Sequence, residues 1–177
     1  MPRAHPDSGG TAAIAAAWQV AASVLDPELP VLSLADLGVL RDVEVLPGGR
    51  VVVTITPTYS GCPAMATMRA DLEAALQEAG YGDVEVRTRL QPAWSTDWIS
   101  AAGRRRLLAA GISPPGPAPT RPAGPVPLTL MAPTRSVDCP RCGSPRTQET
   151  SYFGGTACMA LYRCTSCAEP FPHVKEL

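Results

Sequence analysis

The chain has 177 residues, 15 Lys and Arg against 16 Asp and Glu, and a net charge of −1, so its electrostatics favour neither nucleic acid nor an anionic membrane. Its length suits one ordinary domain plus a small module. With aromatics at 5% and 20 prolines, any core must be built from small aliphatic side chains. No apolar run reaches the roughly 18 residues of a membrane span, and the opening "MPRAHPDSGG" lacks the apolar centre of an export signal. A soluble, cytoplasmic protein is the expectation.

Residues 1–10 read as a tail. Thr11 then reads as an N-cap, with Ile14, Trp18, Ala21 and Leu25 recurring at helical spacing behind it. "VLRDVEVL" (Val39 to Leu46) and "RVVVTIT" (Arg50 to Thr56) flank "PGG", a hairpin signal, and the second run is nearly all β-branched, as a central strand should be. After Cys62-Pro63, the residues Met65, Met68, Leu72, Leu76 and Ala79 mark one face of a helix that ends at Gly80. "DVEVRTRL" (Asp83 to Leu90) alternates, with Val84, Val86 and Leu90 on one face. A last helix is expected from about Thr96 or Asp97 to Ala110, stopped by Gly111. The order is α-β-β-α-β-α, an α+β fold forming a small sandwich over residues 11–112. Ser113 to Ser136 is dense in proline, which removes amide donors, so it reads as an extended spacer. Residues 137–177 form a separate module.

That module holds "CPRCG" (Cys139 to Gly143) and "CTSC" (Cys164 to Cys167), giving C-x2-C-x21-C-x2-C. Each pair makes a tight knuckle, and two knuckles supply the S4 shell that Zn2+ or a single Fe prefers. Without an export signal, metal chemistry is favoured over disulfides. A segment this short needs such an ion to hold a core, and a filled shell indicates a structural site. Cys158 is either a fifth ligand or a packed thiol. His173 reads as a surface residue beside an already complete shell.

"TYSGCPAM" (Thr58 to Met65) joins the second strand to the second helix. Pro63 pushes Cys62 out of the αR region, as suits an N-cap, and proline fits the first helical position. Cys62 would then sit where orphan amides stabilise a thiolate. A reactive or metal-binding thiol and a packing residue are equally open on the residues alone. Asp26 and Glu28 in "DPELP", and Asp36 before Leu37-Gly38, read first as turn residues; Thr58, Tyr59 and Ser60 are hydrogen-bond donors near the thiol. Trp94 and Trp98 either pack or, if exposed, anchor a partner.

Several of these stretches together carry a resemblance. "DPELPVLSLADLGVL" followed by "TYSGCPA" resembles the small iron–sulfur assembly domain of SufT-type maturation proteins. "PAWSTDWIS", "GRRRLLAAGISPP" and "CMALYRCTSCAEPFPHVKEL" narrow it to the PaaD (PaaJ) family of bacterial phenylacetate degradation. The resemblance implies a non-catalytic accessory factor beside the phenylacetyl-CoA epoxidase, a di-iron oxygenase with a flavin and iron–sulfur reductase. It implies help in maturing an iron–sulfur or di-iron partner among those subunits. Cys62, with Asp26, Glu28, Asp36 and Thr58, would hold iron or a transient cluster, and zinc (or iron) would fill the four-Cys module. An adaptor that only scaffolds the oxygenase components is the alternative, and a homodimer is compatible with either. The chain has no paired Glu-x-x-His ligands for a di-iron bundle and no Gly-rich nucleotide fingerprint. It departs from the family pattern in its Pro-rich spacer and in Met159, where a basic residue is expected.

Overall fold

The structure is a computed structural model that describes residues 8–59, 61–118 and 137–176. Expectations placed on residues 1–7, on Ser60 and on most of the Pro-rich spacer lie outside the described residues. The chain divides into two compact units, Met1–Trp94 and Ser95–Leu177, each taken by itself below.

The first unit opens with α1 (Ser8–Ser23). Thr11 therefore lies within the helix and does not cap it. Ala17 and Ala21 are fully buried, whereas Ile14 and Trp18 are 40% and 37% exposed and Leu25 lies exposed beyond the helix end. The buried face is thus one of alanines, which let the helix approach β1 and α2 closely. The larger side chains sit at its border.

Strand β1 (Leu40–Val45) pairs antiparallel with β2 (Val51–Ile55), with Val45 opposite Val51. Gly48 and Gly49 close the turn at φ of 94° and 85°, a conformation that carries no steric cost for glycine. Strand β2 pairs in parallel with β3 (Val84–Thr88) in the order β1-β2-β3, and α2 (Met65–Glu78) is the crossover. Val51, Val52 and Val53 are all buried. Successive strand residues point to opposite faces, so β2 is covered on both, each valine contributing roughly 1.5–3 kcal/mol. Helix α2 buries Met68, Leu72 and Leu76 at the expected spacing. It ends where Gly80 takes φ of 98°, with its amide on the Gln77 carbonyl and the Tyr81 amide on Leu76, the Schellman pattern.

In the second unit the helix expected over residues 96–110 is broken. The Ser95 hydroxyl accepts from the Asp97 amide to start a 3-10 turn, Thr96–Trp98. Ser100, extended, accepts from the Gly103 amide at 2.8 Å and caps α3 (Ala101–Ala109). Two serine caps five residues apart leave no room for a continuous helix. Strands β4 (Thr147–Ser151), β5 (Met159–Cys164) and β6 (Pro170–Val174) form an antiparallel sheet in chain order. Val137, Cys139, Ala160, Tyr162, Cys164 and Phe171 make its core. Among the described residues, no helix is long and apolar enough to cross a membrane.

Candidate metal centre and the Cys62 turn

Two knuckles of matching geometry carry the four thiols. The Cys139 amide donates to the Ser144 carbonyl at 3.0 Å, and the Cys164 amide donates to Glu169 at 2.8 Å. The residue after the second cysteine of each knuckle is left-handed, Gly143 at φ of 69° and Ala168 at 63°. The four Sγ atoms all lie within 4.8 Å of one another, with Cys139–Cys167 at 3.7 Å and Cys142–Cys164 at 3.6 Å. A tetrahedral ion with metal–sulfur bonds of about 2.3 Å holds its sulfurs about 3.8 Å apart. The residues present therefore fit one tetrahedral ion. Cys139 and Cys164 are buried, Cys142 and Cys167 exposed.

Backbone amides polarise the thiols unequally. The Cys167 amide, and then that of Ser166 at 3.4 Å from Sγ, hold Cys164 down to about 6. At Cys142 the Ser144 amide favours the thiolate, but the sulfurs of Cys167, Cys164 and Cys139, together with burial, outweigh it and push the thiol up to about 12. Such crowding of sulfurs is relieved when a cation replaces the shared protons. Outside the shell, Arg141 pairs with Glu169, and Arg146 Nε donates to Ser166 Oγ at 3.0 Å, tying one knuckle to the other.

The sheet is also latched to the segment after α3. Ser113 forms a parallel bridge to His173, its amide donating to the Pro172 carbonyl at 2.9 Å and its hydroxyl to Asp138 at 3.0 Å. His173 is not a surface residue. It is 3% exposed, with Nδ1 3.2 Å from the Ser113 carbonyl, Nε2 3.5 Å from Glu176 and its ring edge-on to Tyr162. The expectation failed because its partner Ser113 lies 60 positions away. Cys158 stands apart from the four converging thiols. It is buried, with Sγ 3.1 Å from Thr156 Oγ1.

In the first unit Cys62 is buried at the joint between β2 and α2, but it does not cap the helix. Ala64 is the N-cap and makes no side-chain bond. The Met65 amide reaches the Cys62 carbonyl at 3.4 Å, and the first i→i−4 bond runs from Met68 to Ala64 at 2.9 Å. Pro63 thus inserts a turn, setting Cys62 just outside the helix. Thr58 and Tyr59 are half-buried beside it in sequence.

Asp26 Oδ1 accepts from the Glu28 and Leu29 amides at 2.9 and 2.7 Å, and burial raises its carboxyl above the usual range. Glu28 is raised by burial and by the Asp26 charge. Ser33 Oγ accepts from the Asp36 amide at 3.0 Å. All three acidic residues thus lie on the loop between α1 and β1. Trp94 is 6% exposed and donates its indole N–H to the Leu37 carbonyl at 3.0 Å. A buried, bonded indole offers no partner surface, which removes it from the docking candidates; Trp98 is half-buried. Sequence reasoning missed two features of the second unit. The buried Lys175 donates to the Ala157 carbonyl at 2.9 Å under the rings of Tyr152 and Phe153, and Ala168 takes the left-handed position that Gly143 fills in the first knuckle.

Residues 123–175 match the family described as PaaD zinc beta ribbon domain, and residues 14–88 match the family described as iron–sulfur cluster assembly protein. The chain is 44% identical over 158 residues to an Escherichia coli protein named as a component of a "Putative 1,2-phenylacetyl-CoA epoxidase", covering 89% of this chain and 90% of that protein. It is 34% identical over 79 residues to an Fe-S protein maturation auxiliary factor of Porphyromonas gingivalis, covering 44% and 74%. Among solved structures, a domain of unknown function from Bacillus anthracis is 26% identical with a TM-score of 0.52, covering 56% of this chain and 94% of that one.

Proposed function

We infer the function from one premise: the chain belongs to the PaaD family, which it shares with the Escherichia coli epoxidase component. On that premise it is an accessory factor of a phenylacetyl-CoA epoxidase and assists iron or iron–sulfur delivery to a partner subunit without itself catalysing epoxidation. The observation that carries this is the placement of Cys62. The thiol lies on the turn between β2 and α2 of a domain that matches iron–sulfur assembly proteins, in the first unit, whereas the four thiols of the ribbon belong to the second. Cys62 takes up the cargo by ligand exchange and yields it to the acceptor's own ligands, a transfer that needs no net redox change. Asp26, Glu28, Asp36 and Thr58 are the proposed helpers, through hydrogen bonds or further ligands. The four-Cys module holds zinc, with Cys139, Cys142, Cys164 and Cys167 as its complete shell. A bound ion there supplies folding energy and no open coordination position.

The test is Cys62→Ser in the full chain, produced together with the oxygenase and reductase subunits. Iron content of the partner subunits should fall severalfold while zinc in the ribbon stays at one per chain. Undiminished partner iron would refute transfer through Cys62.

A second reading, a scaffold that only joins the oxygenase components, is favoured by one observation. Tyr152 and Phe153, on the loop between β4 and β5, are 59% and 69% exposed, and exposed aromatics often anchor partners. In that case assembly survives Cys62→Ser and fails when Cys139 and Cys142 are both replaced by Ser.

A further inference from the structure

The two knuckles expose their ligands unequally, and the inequality follows their symmetry. The first cysteine of each, Cys139 and Cys164, is buried in the sheet core with Val137, Ala160, Tyr162 and Phe171. The second of each, Cys142 and Cys167, faces solvent. These two outward sulfurs lie within 4.8 Å of one another; the inner–outer pairs stand at 3.7 and 3.6 Å, so solvent access rather than proximity selects the outer pair. The Arg141–Glu169 ion pair stands beside the site.

We propose that Cys142 and Cys167 form a peroxide-reactive thiol pair, whose oxidation to a disulfide discharges the metal while the inner pair remains as thiols. In the first step one outer thiolate attacks a peroxide oxygen: an S–O bond forms, the O–O bond breaks, and the departing hydroxide takes a proton to become water. In the second, the other outer thiolate attacks the sulfenic sulfur; the S–S bond forms and the second oxygen leaves as water. Two electrons pass from the two sulfurs to one hydrogen peroxide, and two protons are consumed. Cys139 and Cys164 alone would supply two of the four sulfurs that a tetrahedral ion takes, too few to retain it. Burial shields the inner sulfurs, because an oxidant must displace packed side chains to reach them. The pair's reactivity rests on the four-thiol site and is independent of any role for Cys62.

The experiment uses the full chain carrying Cys62→Ser and Cys158→Ser, loaded with zinc and treated with hydrogen peroxide. Zinc release is read with a colorimetric chelator, thiols are counted, and the bond is mapped by peptide mass spectrometry. The expected result is one zinc released and two thiols lost per chain, with a Cys142–Cys167 bond that a phosphine reductant plus zinc reverses. Zinc retained under excess peroxide, a bond involving Cys139 or Cys164, or zinc loss without a disulfide would each overturn the proposal. A chain that takes up no zinc fails at the loading step and refutes the metal centre itself, an outcome distinct from any result on partner iron.

Discussion

At Asp26 a single carboxylate performs two opposed tasks. Its Oδ1 closes the turn by accepting the Glu28 and Leu29 amides, yet its burial disfavours the charge. Because burial raises the folded-state value, the native protein binds the proton more tightly than the unfolded chain does. Stability contributed here is therefore present at low pH and declines as pH rises above the ordinary value of 3.8. Asp26→Asn keeps an acceptor for both amides without the charge. It should leave neutral-pH stability equal or higher and flatten the decline above pH 3.8, whereas Asp26→Ala loses both bonds at a cost of about 1–2 kcal/mol. Urea titrations across pH would show this, and an Asn variant as unstable as the Ala variant would exclude the account. The knuckles allow a second residue-scale comparison. Ala168 holds a left-handed φ that costs an L-residue about 1–2 kcal/mol, so Ala168→Gly should raise the melting temperature of the zinc-loaded chain. Gly143→Ala, at the equivalent position, should lower it by a similar amount.

Among the elements, β2 and α2 were legible because local composition and tertiary burial agree there. Three consecutive buried valines require a covered strand, and Met68, Leu72 and Leu76 describe a stripe that Gly80 ends. Helix α1 was legible as a helix but not in its facing. Of the expected series Ile14, Trp18, Ala21 and Leu25, Ala21 is buried, and it packs with Ala17 rather than with the three larger residues, because closeness of approach to β1 and α2 outweighs side-chain area. Accordingly Ala21→Leu should cost about 1–3 kcal/mol through overpacking, while Ile14→Gln should change stability by less than about 0.5 kcal/mol. Thermal melts of the two variants decide it, and reversed sensitivities would mean the large residues carry the contact. The Cys62 turn shows the same limit at the site. Pro63 announced a helix start, but only the observed bond from Met68 to Ala64 places that start beyond Cys62.

At the scale of the molecule, the four-Cys spacing made the ribbon readable, while its reach beyond residue 137 depends on pairings no local pattern encodes. Ser113 bridges to β6, the Gly116 amide donates to Glu176 at 3.1 Å, and Ala118 donates to Asp97 at 3.0 Å. Arg104 donates to the Thr96 carbonyl at 2.8 Å and to that of Pro115, joining α3 to the same network. The second unit accordingly begins at Ser95 and carries α3 with the ribbon. A structural zinc contributes on the order of 10–16 kcal/mol to such a module, comparable to the whole stability of an ordinary domain at about 5–15 kcal/mol. Removing the metal with a strong chelator should therefore unfold the sheet and the latch together. In hydrogen exchange, the amides of Ser113, Val174 and Cys164 should lose protection in step, and those of α3 with them, while the β2 amides of the first unit keep theirs. If α3 instead belonged to a domain spanning residues 11–112 and the ribbon only to residues 137–177, α3 would stay protected after the metal is gone. That result would move the boundary of the metal-dependent unit from Ser95 to beyond Ser113.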